Sequence, residues 1–186
     1  MPDNRDELDE SIDEAYFDRR AEAEPRVFDA ALLQEHASVL PARRPLVFSE
    51  RHTVSEAMHA MQSERRGVVV ITTDGTLNGR ITGIFTERDV LFRVVDSGRN
   101  PANLPLSEVM TRDPERLGDE ESIARVLHMM SVGGFRHVPV VDADDHPRFV
   151  VSVRDVVEFL VNAFPREVLT LRDEPGAGVP CQREGG

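Results

Sequence analysis

Apolar positions along the chain fall into two rhythms that recur in the same order. In the segment TVSEAMHAM, beginning at Thr53, the apolar residues Val54, Ala57, Met58 and Met61 sit at helical spacing. A β-branched run, GVVVIT, follows, then a turn, a second apolar run and the helical stretch of GIFTERDVLFRVV. The pattern returns as SIARVLHMM, RHVPVVD and FVVSVRDVVEFLV. Each copy reads as β-α-β-β-α, with an S/T-x-R-D tetrapeptide opening the last helix. Thr86-Glu87-Arg88-Asp89 and Ser152-Val153-Arg154-Asp155 lie 66 residues apart, whereas Met61 and Met130 are 69 apart. The first copy therefore carries three extra residues, assigned to the hairpin Thr72 to Gly83 with its turn formers Asp74-Gly75 and Asn78-Gly79. Ser97-Gly98 stops the first copy, Pro101 and Pro105 mark the connection, and Pro165 ends the second. One copy alone would leave a sheet face bare. The expected fold is α+β, with two repeats packed sheet to sheet about a pseudo-twofold axis.

The ends read differently. Leu8, Ile12 and Tyr16 make a thin helical stripe in an acidic segment, too narrow to support an isolated helix, so it docks or stays disordered. Val27 to Leu40 is a second helix candidate, ending at Pro41. The division is an acidic lead-in over 1–40, a first repeat over 41–100, a second over 101–165, and a tail over 166–186, disordered after about Arg172.

Composition sharpens this picture in one respect. The net charge is -12, and residues 1–24 hold ten Asp/Glu against three Arg. All 22 basic residues are arginine. An acidic chain is a poor match for nucleic acid, whose binding is driven by cations that release phosphate counterions. No apolar run reaches the roughly 20 residues of a membrane span. MPDNRDELDE lacks the basic start and apolar core of a secretory signal, so a cytoplasmic location is expected. Cys181 is the one cysteine and has no partner thiol.

Candidate chemistry centres on the tetrapeptides. Ser or Thr three residues before an acid is a helix-capping signature. The four methionines Met58, Met61, Met129 and Met130 read as core filling. His36, His52, His59, His128 and His146 show no metal-ligand spacing, and Asp142 to His146 reads as a turn, not a calcium loop. No nucleophile elbow, lysine-bearing phosphate loop or kinase signature is present, so catalysis is not expected.

Taken together, G-I-F-T-E-R-D, S-E-V-M-T, R-H-V-P-V-V-D and S-V-R-D closely resemble the paired cystathionine-β-synthase (CBS) motif, or Bateman module, over about residues 43–165. The resemblance implies a regulatory module that binds an adenosine nucleotide (AMP, ADP or ATP) and requires no cofactor or metal. It implies that Asp89 and Asp155 accept from ribose hydroxyls and that Thr86, Arg88, Ser152 and Arg154 contact phosphate. Arg136 and His137 would supply charge to the phosphates, with Gly83 and Pro139 completing the set. Such pairs commonly dimerise, and this one is expected to act on an unidentified protein partner. Aligned on the methionines, the first repeat has Gly67-Val68 where the second has Arg136-His137, and Phe149 stands where the first has Gly83. On this reading the site built on Asp89 with Arg136 and His137 is complete, and the site built on Asp155 with Gly67, Val68 and Phe149 is degraded, the Phe149 ring filling the pocket. The rival is a ligand-free interaction module working through dimerisation and the acidic N-terminal segment.

Overall fold

The computed structural model describes residues 30–164; the acidic stripe of the first 24 residues and the tail after Arg172 lie outside them. The first repeat comprises β1 (Val47–Ser49), α2 (Val54–Ser63), β2 (Val68–Thr72), β3 (Ile81–Thr86) and α3, whose first turn Glu87–Asp89 continues as π-helix over Val90–Val95. The second comprises β5 (Leu117–Gly118), α4 (Ile123–Gly133), β6 (His137–Val141), β7 (Pro147–Ser152) and α5 (Val153–Ala163). The β-α-β-β-α order is that expected. So is the hairpin difference: the connection Thr73–Arg80 in the first repeat is three residues longer than Asp142–His146 in the second.

Two short elements precede β1: α1 (Ala30–Leu33) and a 3₁₀ turn, Ala37–Val39. The continuous helix expected up to Leu40 is therefore broken. His36 is extended, and the Ala37 N–H donates to the Glu121 carbonyl at 2.8 Å, so the chain leaves the helix to bridge Ser122. Tertiary hydrogen bonds outcompete the weak local preference of a short segment.

Both repeats enter the fold by the same path. The 3₁₀ turn Leu106–Glu108 leads into β4 (Thr111–Arg112), which joins the edge of the first repeat's sheet, in the order β1-β2-β3-β4. Only then does the chain cross to the other sheet, where β5 pairs in parallel with β6. The first repeat mirrors this. Arg43 bridges Val150 in β7, and β1 then pairs in parallel with β2. Each lead-in thus begins on the partner repeat's sheet. The pairs β2/β3 and β6/β7 are antiparallel hairpins in equivalent register, with Ile71 opposite Gly83 and Val140 opposite Phe149.

Strand alternation divides the core into layers. Val69, Ile71 and Phe85 point to one side and pack with Val54, Ala57 and Met61 of α2, Val94 of α3, and Leu106, Val109 and Met110 of the connection. Val68, Val70, Ile81 and Ile84 point the other way and meet Val141 and Val150 of the second sheet. The expected sheet-to-sheet packing is this second cluster. β2 is buried at every position because it is covered on both faces. Helix caps match the sequence signals. Thr53 and Glu56 form a reciprocal capping box on α2, Ser122 caps α4, and Gly134 ends α4 in the left-handed region at φ 68°.

Candidate nucleotide cleft

The sheet-to-sheet arrangement brings both S/T-x-R-D helix starts to a single cleft of about 890 Å³. Thr86, Glu87, Arg88 and Asp89 line it from the first repeat, and Ser152, Val153, Arg154 and Asp155 from the second. The strand openings contribute Gly67 and Val68 on one side and Arg136, His137 and Pro139 on the other. Of the ten residues singled out from the sequence, nine line this cleft. Gly83 does not. A Cβ on Gly83 would lie 2.5 Å from the Met110 sulfur and 3.2 Å from the Thr111 carbonyl oxygen, so this glycine lets the connection pack against β3. Phe149 occupies the matching strand position and is likewise absent from the cleft lining, so the obstruction expected of it does not arise.

The local geometry at the two carboxylates is that of helix starts. Asp89 Oδ2 accepts from the Thr86 N–H at 2.9 Å and from its hydroxyl at 2.8 Å. Asp155 Oδ2 accepts from the Ser152 N–H at 2.6 Å and its hydroxyl at 2.7 Å. Capping and ligand recognition are therefore not exclusive here. Each carboxylate spends one oxygen on its own helix and has a second to offer. Asp89 is 8% exposed, and its second oxygen sits 3.3 Å from Arg93 Nε.

Arginines and carboxylates share the cleft lining, and part of it is dehydrated. Burial holds His137 below the usual histidine range and Arg136 adds to the effect, while Glu87 and Asp155 oppose it. Burial likewise lowers Arg66, with Arg43 nearby adding to it and Glu64 and Asp155 countering it. The Arg66 guanidinium donates to the Arg44 carbonyl. It feels the Asp155 charge and gives the cleft lining a charge that Gly67-Val68 cannot provide. The Arg88 guanidinium rests 5.5 Å from the Phe92 ring centroid.

Several lining residues were missed in the sequence. Arg43 comes from the first lead-in, and Thr111, Asp113, Pro114 and Glu115 from the second. A signal for them existed: SVLPARRP (Ser38–Pro45) and SEVMTRDP (Ser107–Pro114) match at the separation of 69, extending the repeat upstream of the helices. Arg116 fixes the second lead-in by forking onto Asp145 in the β6–β7 turn, at 2.5 and 2.9 Å, and reaching Asp113 at 2.8 Å.

A duplicated βαββα unit, strand exchange between the copies and paired carboxylates in one cleft define a class of tandem-repeat α+β folds. The model of the CBS domain family matches residues 37–96 and 106–162, together more than half of the chain. The chain belongs to the CBS domain family. A CBS domain-containing protein of Arabidopsis thaliana is 31% identical over 123 residues, 66% of this chain and 22% of its own length. An inosine-5′-monophosphate dehydrogenase of Schizosaccharomyces pombe is 33% identical over 118 residues, 62% of this chain and 21% of its own length. The chain thus spans about a fifth of these relatives. Among solved structures, a CBS domain protein from Pyrobaculum aerophilum complexed with AMP superposes with a TM-score of 0.60 at 25% identity, over 69% of this chain and 97% of that one. No helix among the described residues is long and apolar enough to cross a membrane.

Proposed function

We propose that this CBS pair binds an adenosine nucleotide of the AMP, ADP or ATP type and regulates a protein partner, with no catalytic step of its own. The observation that carries the reading is the convergence of Asp89 and Asp155, each at a helix start, with Arg136, His137 and Arg66 around one cleft. Carboxylate oxygens suit ribose hydroxyls, and the arginines with helix N–H groups suit phosphate. The AMP carried by the Pyrobaculum relative supports the same class of ligand.

Regulation follows if the nucleotide prefers one arrangement of the repeats, since a ligand shifts an equilibrium only by its differential affinity. An exposed apolar strip on α3, with Leu91, Phe92 and Val95 each at least 60% exposed, supports a homodimer or a partner contact in the cytoplasm. Calorimetry of the full chain against AMP, ADP, ATP and S-adenosylmethionine tests the reading. Saturable binding of at least one, lost on Asp89→Asn combined with Asp155→Asn, is the expected result. Absence of binding by all four would leave the ligand-free interaction module in its place.

A further inference from the structure

We infer that Arg93 latches the Asp89 half of the cleft, so that the Asp155 half takes the first nucleoside and the Asp89 half fills only when Arg93 is displaced. The inference rests on the nucleotide reading above and reverses the ranking that the sequence suggests. Both carboxylates begin from the same state, with Oδ2 saturated by the N–H and hydroxyl of Thr86 or Ser152. The difference lies in Oδ1. A carboxylate oxygen has two lone pairs, enough for the two hydroxyls of a ribose. Among the described residues nothing donates to Asp155 Oδ1. Asp89 Oδ1, by contrast, is ion-paired with Arg93 Nε at 3.3 Å, so the guanidinium stands over the oxygen that a ribose would approach.

Arg93 is also anchored at its far end. Its Nη1 donates to the Val109 carbonyl at 2.7 Å, and Val109 is buried in the connection just before Met110 and Thr111. The side chain therefore bridges the carboxylate and the segment that carries Thr111 into the cleft wall. The helix that bears it is wound differently from its counterpart: Val90–Val95 is π-helix, whereas α5 is regular. Such widened turns are frequent at functional positions. At the matching place, 66 residues on, the second repeat has Phe159, which can form no such pair. A ribose arriving at Asp89 must take the position of the guanidinium. Its release from Asp89 would also loosen its hold on Val109, linking occupancy of that half to the connection between repeats.

The test is calorimetry of the full chain with AMP and 2′-deoxy-AMP, on wild type, Asp155→Asn, Asp89→Asn and Arg93→Met. The expected wild-type titration shows a tighter and a weaker event, with Asp155→Asn removing the tighter and Asp89→Asn the weaker. Arg93→Met keeps the aliphatic stem and leaves the Thr86–Asp89 bonds in place, so it reports on the latch even where Asp89→Asn disturbs the helix. It should strengthen the weaker event for AMP by about tenfold and leave 2′-deoxy-AMP less improved, since the deoxy sugar lacks one of the two hydroxyls that the freed oxygen can accept from. Loss of the tighter event on Asp89→Asn, or weaker AMP binding in Arg93→Met, would overturn the latch and make Arg93 a phosphate ligand. Absence of AMP binding by the wild type would instead remove the nucleotide reading on which the latch depends.

Discussion

At the scale of single residues, Gly83 and His137 show how a strand position serves packing or recognition according to its neighbours. Gly83→Ala forces a methyl group against the Met110 sulfur and the Thr111 carbonyl. Overpacking of this kind costs about 1–3 kcal/mol, so the melting temperature should fall. Met110→Ala should recover part of that loss in the double variant, because it removes the atoms the methyl meets. An additive double variant would place the strain elsewhere. His137 has the opposite character, being held neutral by burial and by Arg136 against the pull of Glu87 and Asp155. Its pKa in the folded chain is depressed, so the unfolded chain takes up the proton first. Stability is therefore lost as pH falls below about 6.5 toward the folded value. A phosphate in the cleft favours the protonated ring, so nucleotide binding should take up a proton, and affinity should rise as pH drops through that window. The ligand's own phosphate titrates nearby, so the comparison that decides is wild type against His137→Gln, measured in two buffers of different ionisation heat. Identical proton uptake in both would remove His137 from the phosphate site.

Elements are where capping and binding separate. Ser122 and Ser152 both stand at helix starts, and both hydroxyls accept from the N–H three residues on, at 3.3 Å. Ser122 lies outside the cleft, while Ser152 lines it and also donates to Asp155. Ser122→Ala should cost about 1 kcal/mol of stability and leave nucleotide affinity unchanged. Ser152→Ala should lower both, since it releases the Asp155 carboxylate from its fixed orientation. A thermal melt and a titration on each variant separate the outcomes. An unchanged affinity in Ser152→Ala would confine that serine to its structural role. At this scale the periodicity of the chain was informative. Helix α2, helix α4 and the β-branched strands fall where spacing places them, because each buries one face or both against a partner that the repeat itself supplies. The helix expected through Leu40 breaks off, since hydrogen bonds of Ala37 and Glu35 with Glu121 and Ile123, far along the chain, draw its end into a bridge.

At the scale of the whole molecule, the two repeats exchange their lead-in segments. Each lead-in pairs first with the opposite sheet, through Arg43 with Val150 and through β4 with β3, so neither repeat completes its sheet alone. Urea or heat should therefore unfold both repeats in one transition, even when a variant such as Gly83→Ala weakens only the first. Deleting residues 1–24 should preserve that transition, because the segment is acidic and contributes little apolar surface. Deleting residues 1–43 should not, since Ala37 and Leu40 are buried and the Arg43 bridge is lost. Calorimetric melts of the two truncations give the answer. Separate transitions in the intact chain would mean that the exchange is incidental to stability.

What the sequence determined by itself was the duplication, the order of elements and the groups that the two helix starts and the β6 opening bring to the cleft. Those follow from periodicity and from residue types whose chemistry is local: a β-branched run, a serine or threonine three residues before an acid, a glycine at a turn. Only the tertiary structure decided which atoms compete for which carboxylate. Arg93 reaches Asp89 and Val109 because a π-turn and the connection between repeats place it there. Phe149 stays off the cleft because strand alternation turns it to the other face of its sheet. Arg43 and Thr111 reach the cleft wall because each lead-in crosses to the opposite sheet. Facts of this kind depend on distances between segments far apart in the chain, which residue spacing alone does not encode.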